Sequence, residues 1–346
     1  TKLLGIIPWA AHAFGNRELG IARPQLNRLA EGALDTDLPF QAANLTCTPE
    51  GGAEVICEAV GTGPNGQRWS VVERSGLDIG VVSVLDPEAD KTVAPARMSG
   101  LDLLDPTLML PDVIDTMREQ AAVDFVVVLY HSSNGDVDLK VRHLAETVEG
   151  IDLLVTNESI AIEERRAEDD PDPHTGGYIV TPGTGTYIVS ADTGPRRVVE
   201  ATARLARDGT EIAGMETVTH STSNLEADPA AARELESITA SYCDNWGSAI
   251  GSGSSLEASW TLDDFQTFVL NVMRFSTQAE VALSNKGAFR NSWRFPLEDQ
   301  LTLADVYSVL PFQNDLVTFS MEGADLESLA DKIDDGLLAA GLDKKD

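Results

Sequence analysis

Basic residues are in short supply in this sequence: 25 Lys and Arg stand against 56 Asp and Glu, leaving a net charge of -31. That excess repels phosphate backbones and anionic headgroups, so neither nucleic acid nor an acidic membrane surface is expected as a partner. The shortage of lysine fits a salty or extracellular setting as well as ordinary acidic solubility. Long apolar runs are missing too. None approaches the roughly 18 residues that span a bilayer, and no membrane insertion is expected. Cysteine is sparse, with three in the chain. Cys47 and Cys57 flank Thr48-Pro49-Glu50-Gly51-Gly52, a stretch able to fold back as a hairpin. Spacing alone leaves a local disulfide and two free thiols equally open there. Cys243 has no mate of this kind and reads as buried rather than reactive. The sequence opens on Thr1 without a signal-peptide pattern, which is read as a cleaved leader or a fragment.

What is present has the balance of a folded globular protein, 42% hydrophobic and 23% charged. A chain of 346 residues suits two α/β units, since single domains run to roughly 100–200 residues. Apolar spacing predicts a helix over Pro24 to Leu34, ending near Gly32, and a short strand over Phe40 to Leu45. Leu77 to Val84 reads as a strand, Pro111 to Ala121 as a helix with Pro in its first turn, and Asp124 to Leu129 as a buried parallel strand. Val137 to Val148 is helical and Ile151 to Val155 is again strand-like. This alternation is the α/β signature. Beyond an acidic loop at Glu163 to Pro173, strand patterning resumes at Tyr178 to Val189, around a Pro182-Gly183 turn, and at Val198 to Leu205. Asp228 to Trp246 reads as a helix with Asp228 as N-cap, and Gly247 to Ser255 as a linker. A second unit follows, with a helix at Leu262 to Phe275, a strand at Glu280 to Leu283, further elements at Leu303 to Leu310 and Leu316 to Met321, and a helix at Leu326 to Ala340. The resulting division is 1–225, a linker helix and Gly/Ser linker over 226–258, and 259–346.

Open α/β sheets place their sites at strand ends. His131 follows the strand ending at Leu129-Tyr130, Asn157-Glu158-Ser159 follows Ile151 to Val155, and Gly15-Asn16-Arg17-Glu18 precedes the first helix. Three such loops on one sheet edge would converge. The other histidines offer less: His12 reads as packing, His143 and His174 as surface, and His220 as lacking a recognisable partner.

These loops are where the chain resembles the family of 5'-nucleotidases and UDP-sugar hydrolases. A family Gly-Asn-His-Glu loop matches Gly15-Asn16-Arg17-Glu18, its "ANL" strand matches Ala42-Ala43-Asn44-Leu45, and its Ser-His strand end matches Tyr130-His131. The "GIDLIIGGHTH" stretch matches Gly150 to Ile160, and the second unit carries three further motifs in order. These are Asn285-Lys286-Gly287-Ala288-Phe289-Arg290, Leu301-Thr302-Leu303-Ala304-Asp305-Val306 and Leu310-Pro311-Phe312-Gln313-Asn314. The resemblance implies an α/β protein (α+β overall): a calcineurin-like metallophosphoesterase sandwich followed by a partial 5'-nucleotidase C-terminal domain. It implies a two-metal phosphoryl-transfer site, with Asn16 and His131 at metal positions. In the second unit it implies Phe312 as a base-stacking platform, with Asn285, Gly287, Arg290 and Asn314 beside the substrate.

Departures from the family pattern point elsewhere. Arg17 stands where the family histidine would stabilise the leaving oxygen, and Glu158 and Ile160 replace both histidines of the His-x-His pair. Isoleucine has no lone pair, while Glu158 could still reach a hard cation through oxygen. The family's Asp-x-His and Gly-Asp segments would lie upstream of Thr1. The expectation is therefore a degenerate, non-catalytic protein, periplasmic or extracellular, acting as a binding or structural subunit of an assembly and needing no cofactor. It would take a nucleotide or other small anionic ligand, or protein partners. The alternative is an active metal-dependent phosphoesterase, using Mn, Zn or Mg, whose remaining ligands lie outside this chain.

Overall fold

In the computed structural model the described residues are 9–48, 52–63, 66, 68–133, 137–157, 178–190, 197–206, 211–223, 225–252, 261–290, 300–312 and 314–334. The chain divides into two units, Thr1–Ala231 and Ala232–Asp346.

The first unit runs β1 (His12–Ala13), α1 (Asn16–Leu19), α2 (Arg23–Asp35), β2 (Phe40–Gln41), β3 (Leu45–Cys47), α3 (Glu54–Ala59), β4 (Trp69–Arg74), β5 (Leu77–Leu85), α4 (Pro95–Met98), β6 (Leu101–Leu103), α5 (Pro106–Ala121), β7 (Phe125–His131), α6 (Val137–Thr147), β8 (Leu153–Thr156), β9 (Tyr178–Val180), β10 (Tyr187–Ser190), β11 (Arg197–Leu205) and β12 (Ile212–Ser221). A 3-10 turn at Pro87–Thr92 follows β5. Six strands form one sheet in the order β4-β5-β7-β8-β10-β9. Its four inner strands are parallel, and the edge strands β4 and β9 run antiparallel to their neighbours. Inner parallel strands are shielded by their crossovers, which is why β5 and β7 read as near-continuous apolar runs.

Two hydrophobic clusters support this unit. Val82, Val84, Val126, Val128, Tyr130 and Leu154 of the sheet pack with Leu110, Ile114 and Met117 of α5 and Val141 and Leu144 of α6. Phe14, Leu19, Leu26, Phe40, Leu45, Ile56 and Leu85 form the second. Cys47 and Cys57 are joined as a disulfide that ties β3 to α3, resolving the alternative left open by spacing.

Several boundaries differ from the sequence reading. The helix expected from Pro111 starts at Pro106, because Asp105 caps it by accepting from the Thr107 N–H at 2.9 Å, and Pro111 lies inside. Pro111 lacks an N–H, so the helix gives up the bond to the Thr107 carbonyl there. The strand expected over Phe40 to Leu45 is two short strands broken by a turn at Ala43-Asn44. The Asn44 side chain holds this turn in place by bonding the Leu85 and Leu104 backbone. The strand β12 has no counterpart in the sequence reading. It pairs antiparallel with β11, and His220 meets Glu200 across the hairpin at 2.8 Å, so this histidine does have a partner.

Helix α7 (Pro229–Trp246) crosses the division between units, and Asp228 caps it by accepting from the Ala230 and Ala231 N–H groups. The second unit holds β13 (Ala249–Ser252), α8 (Leu262–Thr277), β14 (Gln300–Thr302), α9 (Leu303–Val309) and α10 (Gly323–Asp334). Within the stretch read as a linker, β13 pairs antiparallel with β14. Small residues are no bar to ladder bonds, which come from the backbone. Glu280 to Leu283 and Leu316 to Met321 form no ladder among the described residues, and Leu316, Val317 and Phe319 are exposed. Phe265, Ala288, Phe289 and Val309 make the small core of this unit.

Candidate functional site

The parallel register sets Leu85 of β5 beside His131 of β7, and Tyr130 beside Thr156 of β8. Three strands thus end on one edge, and the residues that follow them, Asp86, Ser132 and Asn157, meet there. Asn157 straps two of these ends together, accepting from the Ser132 N–H at 2.8 Å and donating to its carbonyl at 3.3 Å. The Asp86 N–H donates to the His131 carbonyl at 2.9 Å. The loop before α1 reaches the same place. An added Cβ on Gly15 would lie 2.7 Å from the His131 ring, so only glycine lets the loop approach this closely. Glu18 accepts from the Gly15 N–H at 2.9 Å, closing the helix start.

A chain of hydrogen bonds then fixes the imidazole. Thr92 donates its hydroxyl hydrogen to the Ala89 carbonyl at 2.8 Å, leaving Oγ1 to accept from Asn16 Nδ2 at 3.1 Å. That orients the Asn16 amide so that Oδ1 faces His131 Nε2, 3.1 Å away. Facing that oxygen, Nε2 donates to it in the tautomer that carries the proton there. Burial lowers the His131 pKa, Arg17 lowers it further, and Asp86 acts in the opposite direction. Burial also raises the Glu18 carboxyl, against hydrogen bonds to backbone and the charge of Arg17. Arg17 itself is exposed, and its positive charge is felt at His131.

The structure therefore brings together Asn16, Arg17 and His131. Glu158 and Ile160 lie outside the described residues, as do His174 and Gln313. Among the described residues no group of three or more His, Cys, Asp or Glu is placed to hold a metal ion. Of the three metal candidates of the sequence reading, Asn16 and His131 are among the described residues and lie 3.1 Å apart, and the charge of Arg17 is felt beside them. His12 packs against Phe40 with ring centroids 4.8 Å apart, as a core histidine would.

Sequence reasoning missed Asp86, Lys140 and Thr92. Asp86 is 1% exposed, and its carboxylate is held by Lys140 Nζ at 2.8 Å, the Glu88 N–H at 3.0 Å and the Ser133 hydroxyl at 3.3 Å. Lys140 also bridges to Glu88. Together with burial, these carboxylates push the Tyr130 hydroxyl well above its usual range. Asp86 directly follows an apolar strand, the same signal that singled out His131.

In the second unit the structure explains one of the motifs, Leu301 to Val306, as a cap. Thr302 begins α9 by accepting from the Asp305 N–H at 3.3 Å, while Asp305 accepts from the Thr302 N–H at 2.8 Å. Thr261 and Asp264 make the same reciprocal pair at α8. Arg290 and Phe312 do come together, the guanidinium carbon 4.6 Å from the ring centroid. Asn285, Gly287 and Asn314 are exposed near these two positions in sequence.

Residues 248–335 match the model of the 5'-nucleotidase C-terminal domain. No curated protein matches the chain. Among solved structures, the 5'-nucleotidase from Candida albicans is similar over 90% of this chain and 59% of its own, at TM-score 0.55 and 12% identity. The sulfate thiohydrolase SoxB from Thermus thermophilus is similar over 71% of this chain and 39% of its own, at TM-score 0.52 and 16% identity. The calcineurin-like phosphoesterase YfkN from Bacillus subtilis is similar over 70% of this chain and 74% of its own, at TM-score 0.50 and 15% identity. At such identities the likeness is one of fold, and the chain spans 39% of SoxB and 59% of the Candida protein. Residues 248–335 thus match the 5'-nucleotidase C-terminal domain, and the chain shares its fold with 5'-nucleotidases and a calcineurin-like phosphoesterase.

Proposed function

We propose that this protein binds rather than hydrolyses: a non-catalytic relative of the 5'-nucleotidases that takes a nucleotide or other small anionic ligand. It would serve as a binding or structural subunit of an extracytoplasmic assembly. The observation that carries this reading is Arg17 in the strand-end loop, a cation whose charge is felt at His131 where the family pattern has a histidine. The cation of Arg17 adds repulsion to any metal approaching Asn16 and His131. Ligand binding is assigned to the second unit, where Arg290 offers a guanidinium to an anion and Phe312 an aromatic face. The Cys47–Cys57 disulfide supports an oxidising, periplasmic or extracellular setting. Among the described residues no helix is long and apolar enough to cross a membrane.

The test is hydrolysis of AMP and of a UDP-sugar with added manganese. No release of phosphate from AMP, nor of UMP and a sugar phosphate from the UDP-sugar, is expected, and release that His131→Ala abolishes overturns the reading. A second reading, an active metal-dependent phosphoesterase, draws support from the same 3.1 Å spacing of Asn16 and His131. Two neighbouring ligands each about 2.1 Å from one ion stand about that far apart. Elemental analysis of the purified protein separates the two, since this second reading requires bound divalent metal.

A further inference from the structure

Arg290 and Phe312 are anchored by the same small core. Phe289, next to Arg290, is buried with Val309 and Phe265, and the Arg290 N–H donates to the Val309 carbonyl at 2.8 Å. The loop carrying Arg290 is thereby tied to the end of α9, and Phe312 lies three residues beyond Val309. Both side chains are half-buried. The guanidinium carbon sits 4.6 Å from the Phe312 ring centroid, within the roughly 6 Å reach of a cation–π interaction. A nucleobase stacked on that face needs the same space, because stacked rings also sit about 4.5 Å or a little more apart by centroid. Guanidinium and base therefore exclude each other on this face of the ring.

We infer that Arg290 is a gate on the ligand site, capping Phe312 until a ligand arrives that carries an aromatic ring and an anionic group together. The anion gives the displaced guanidinium a charge-assisted, bidentate partner, which takes over from the ring face it has left. A neutral nucleoside has to move the guanidinium off the ring with nothing to hold Arg290 aside. Free phosphate draws on the arginine but leaves the ring face without an occupant. The inference rests on the reading of this region as the ligand site and adds to it a specificity: the ligand's charge opens the site and its ring fills it.

Equilibrium binding to the full chain, by titration calorimetry with adenosine, AMP and inorganic phosphate, tests this in the parent protein and in Arg290→Ala. The parent is expected to prefer AMP to adenosine by about tenfold or more. Arg290→Ala is expected to bind adenosine more tightly than the parent does and to lose most of its preference for AMP. Gain of affinity on removing a cationic side chain is an outcome that a plain anion-binding arginine does not produce. Circular dichroism checks the fold of the variant, and Arg290→Gln takes its place if alanine is not tolerated. Adenosine binding equally to parent and variant overturns the gate while the ligand-site reading stands, and so does phosphate binding as tightly as AMP. Absence of binding by any of the three to either protein overturns the ligand-site reading and the gate with it.

Discussion

Asn44 is fully buried between two elements of the first unit. It donates to the Leu85 and Leu104 carbonyls at 2.8 and 2.9 Å and accepts from the Leu85 N–H at 2.9 Å. Asn44→Ala strands the N–H and carbonyl of buried Leu85 and releases the carbonyl of the more exposed Leu104, each group costing about 1–3 kcal/mol where water does not reach it. A loss of about 3 kcal/mol is expected, seen as a lower denaturant midpoint at unchanged slope. At Glu88, hydrogen bonds to Lys140 and then Lys91, with their charges, hold the carboxyl at about 2. A carboxyl depressed in the folded state contributes stability above its unfolded value near 4.5 and loses it as pH falls toward 2. The stability difference between the parent and Glu88→Gln should therefore close over that window, measured by thermal melts across pH. A difference that persists unchanged at pH 2 contradicts the pairing. The strand-end rule makes His131 and Asn157 legible in the sequence, and the family motif adds Asn16. Thr92 is not legible, because its role depends on a hydrogen bond to a residue 76 positions away. Asp86 carries the strand-end signal too, but only the fold shows that burial beside Lys140 makes it the most enclosed charge at this edge.

Elements with a strong apolar pattern have bounds close to those that periodicity predicts. β5 and β7 are continuous apolar runs, α2 turns Leu26, Ala30 and Ala33 inward, and α8 does the same with Leu262, Phe265 and Val269. Shorter elements are decided by side chains that periodicity does not see. The Asp105 cap moves the start of α5 forward by a turn and more, and the pairing of β13 with β14 makes a strand of a Gly/Ser stretch. The disulfide belongs to this scale as well, since it joins β3 to α3 across a sequence separation of 10. Closing a loop of that length restricts the unfolded chain by about 3 kcal/mol. The double variant Cys47→Ser, Cys57→Ser should lose about that much, and a reductant should bring the parent down to the level of the variant. An unchanged midpoint under reducing conditions contradicts the bond.

At the scale of the whole molecule, the net charge of -31 works against compactness. Screening by salt should relieve that repulsion, so the melting temperature is expected to rise as ionic strength increases from about 10 to 300 mM. A flat or falling trend means that local pairing already offsets the excess. Composition makes this visible in the sequence, and alternation of strand and helix shows the α/β class and its two units. What the pattern does not disclose is the surroundings of the His131 imidazole, which come from loops distant in sequence. The most direct measurement is a manganese titration followed by electron paramagnetic resonance at about 0.3 M salt, where diffuse binding to surface carboxylates is screened. The signal of the free aqueous ion should grow in proportion from the first addition. Stoichiometric uptake of manganese that Asn16→Ala and His131→Ala each abolish contradicts a centre that has given up its metals.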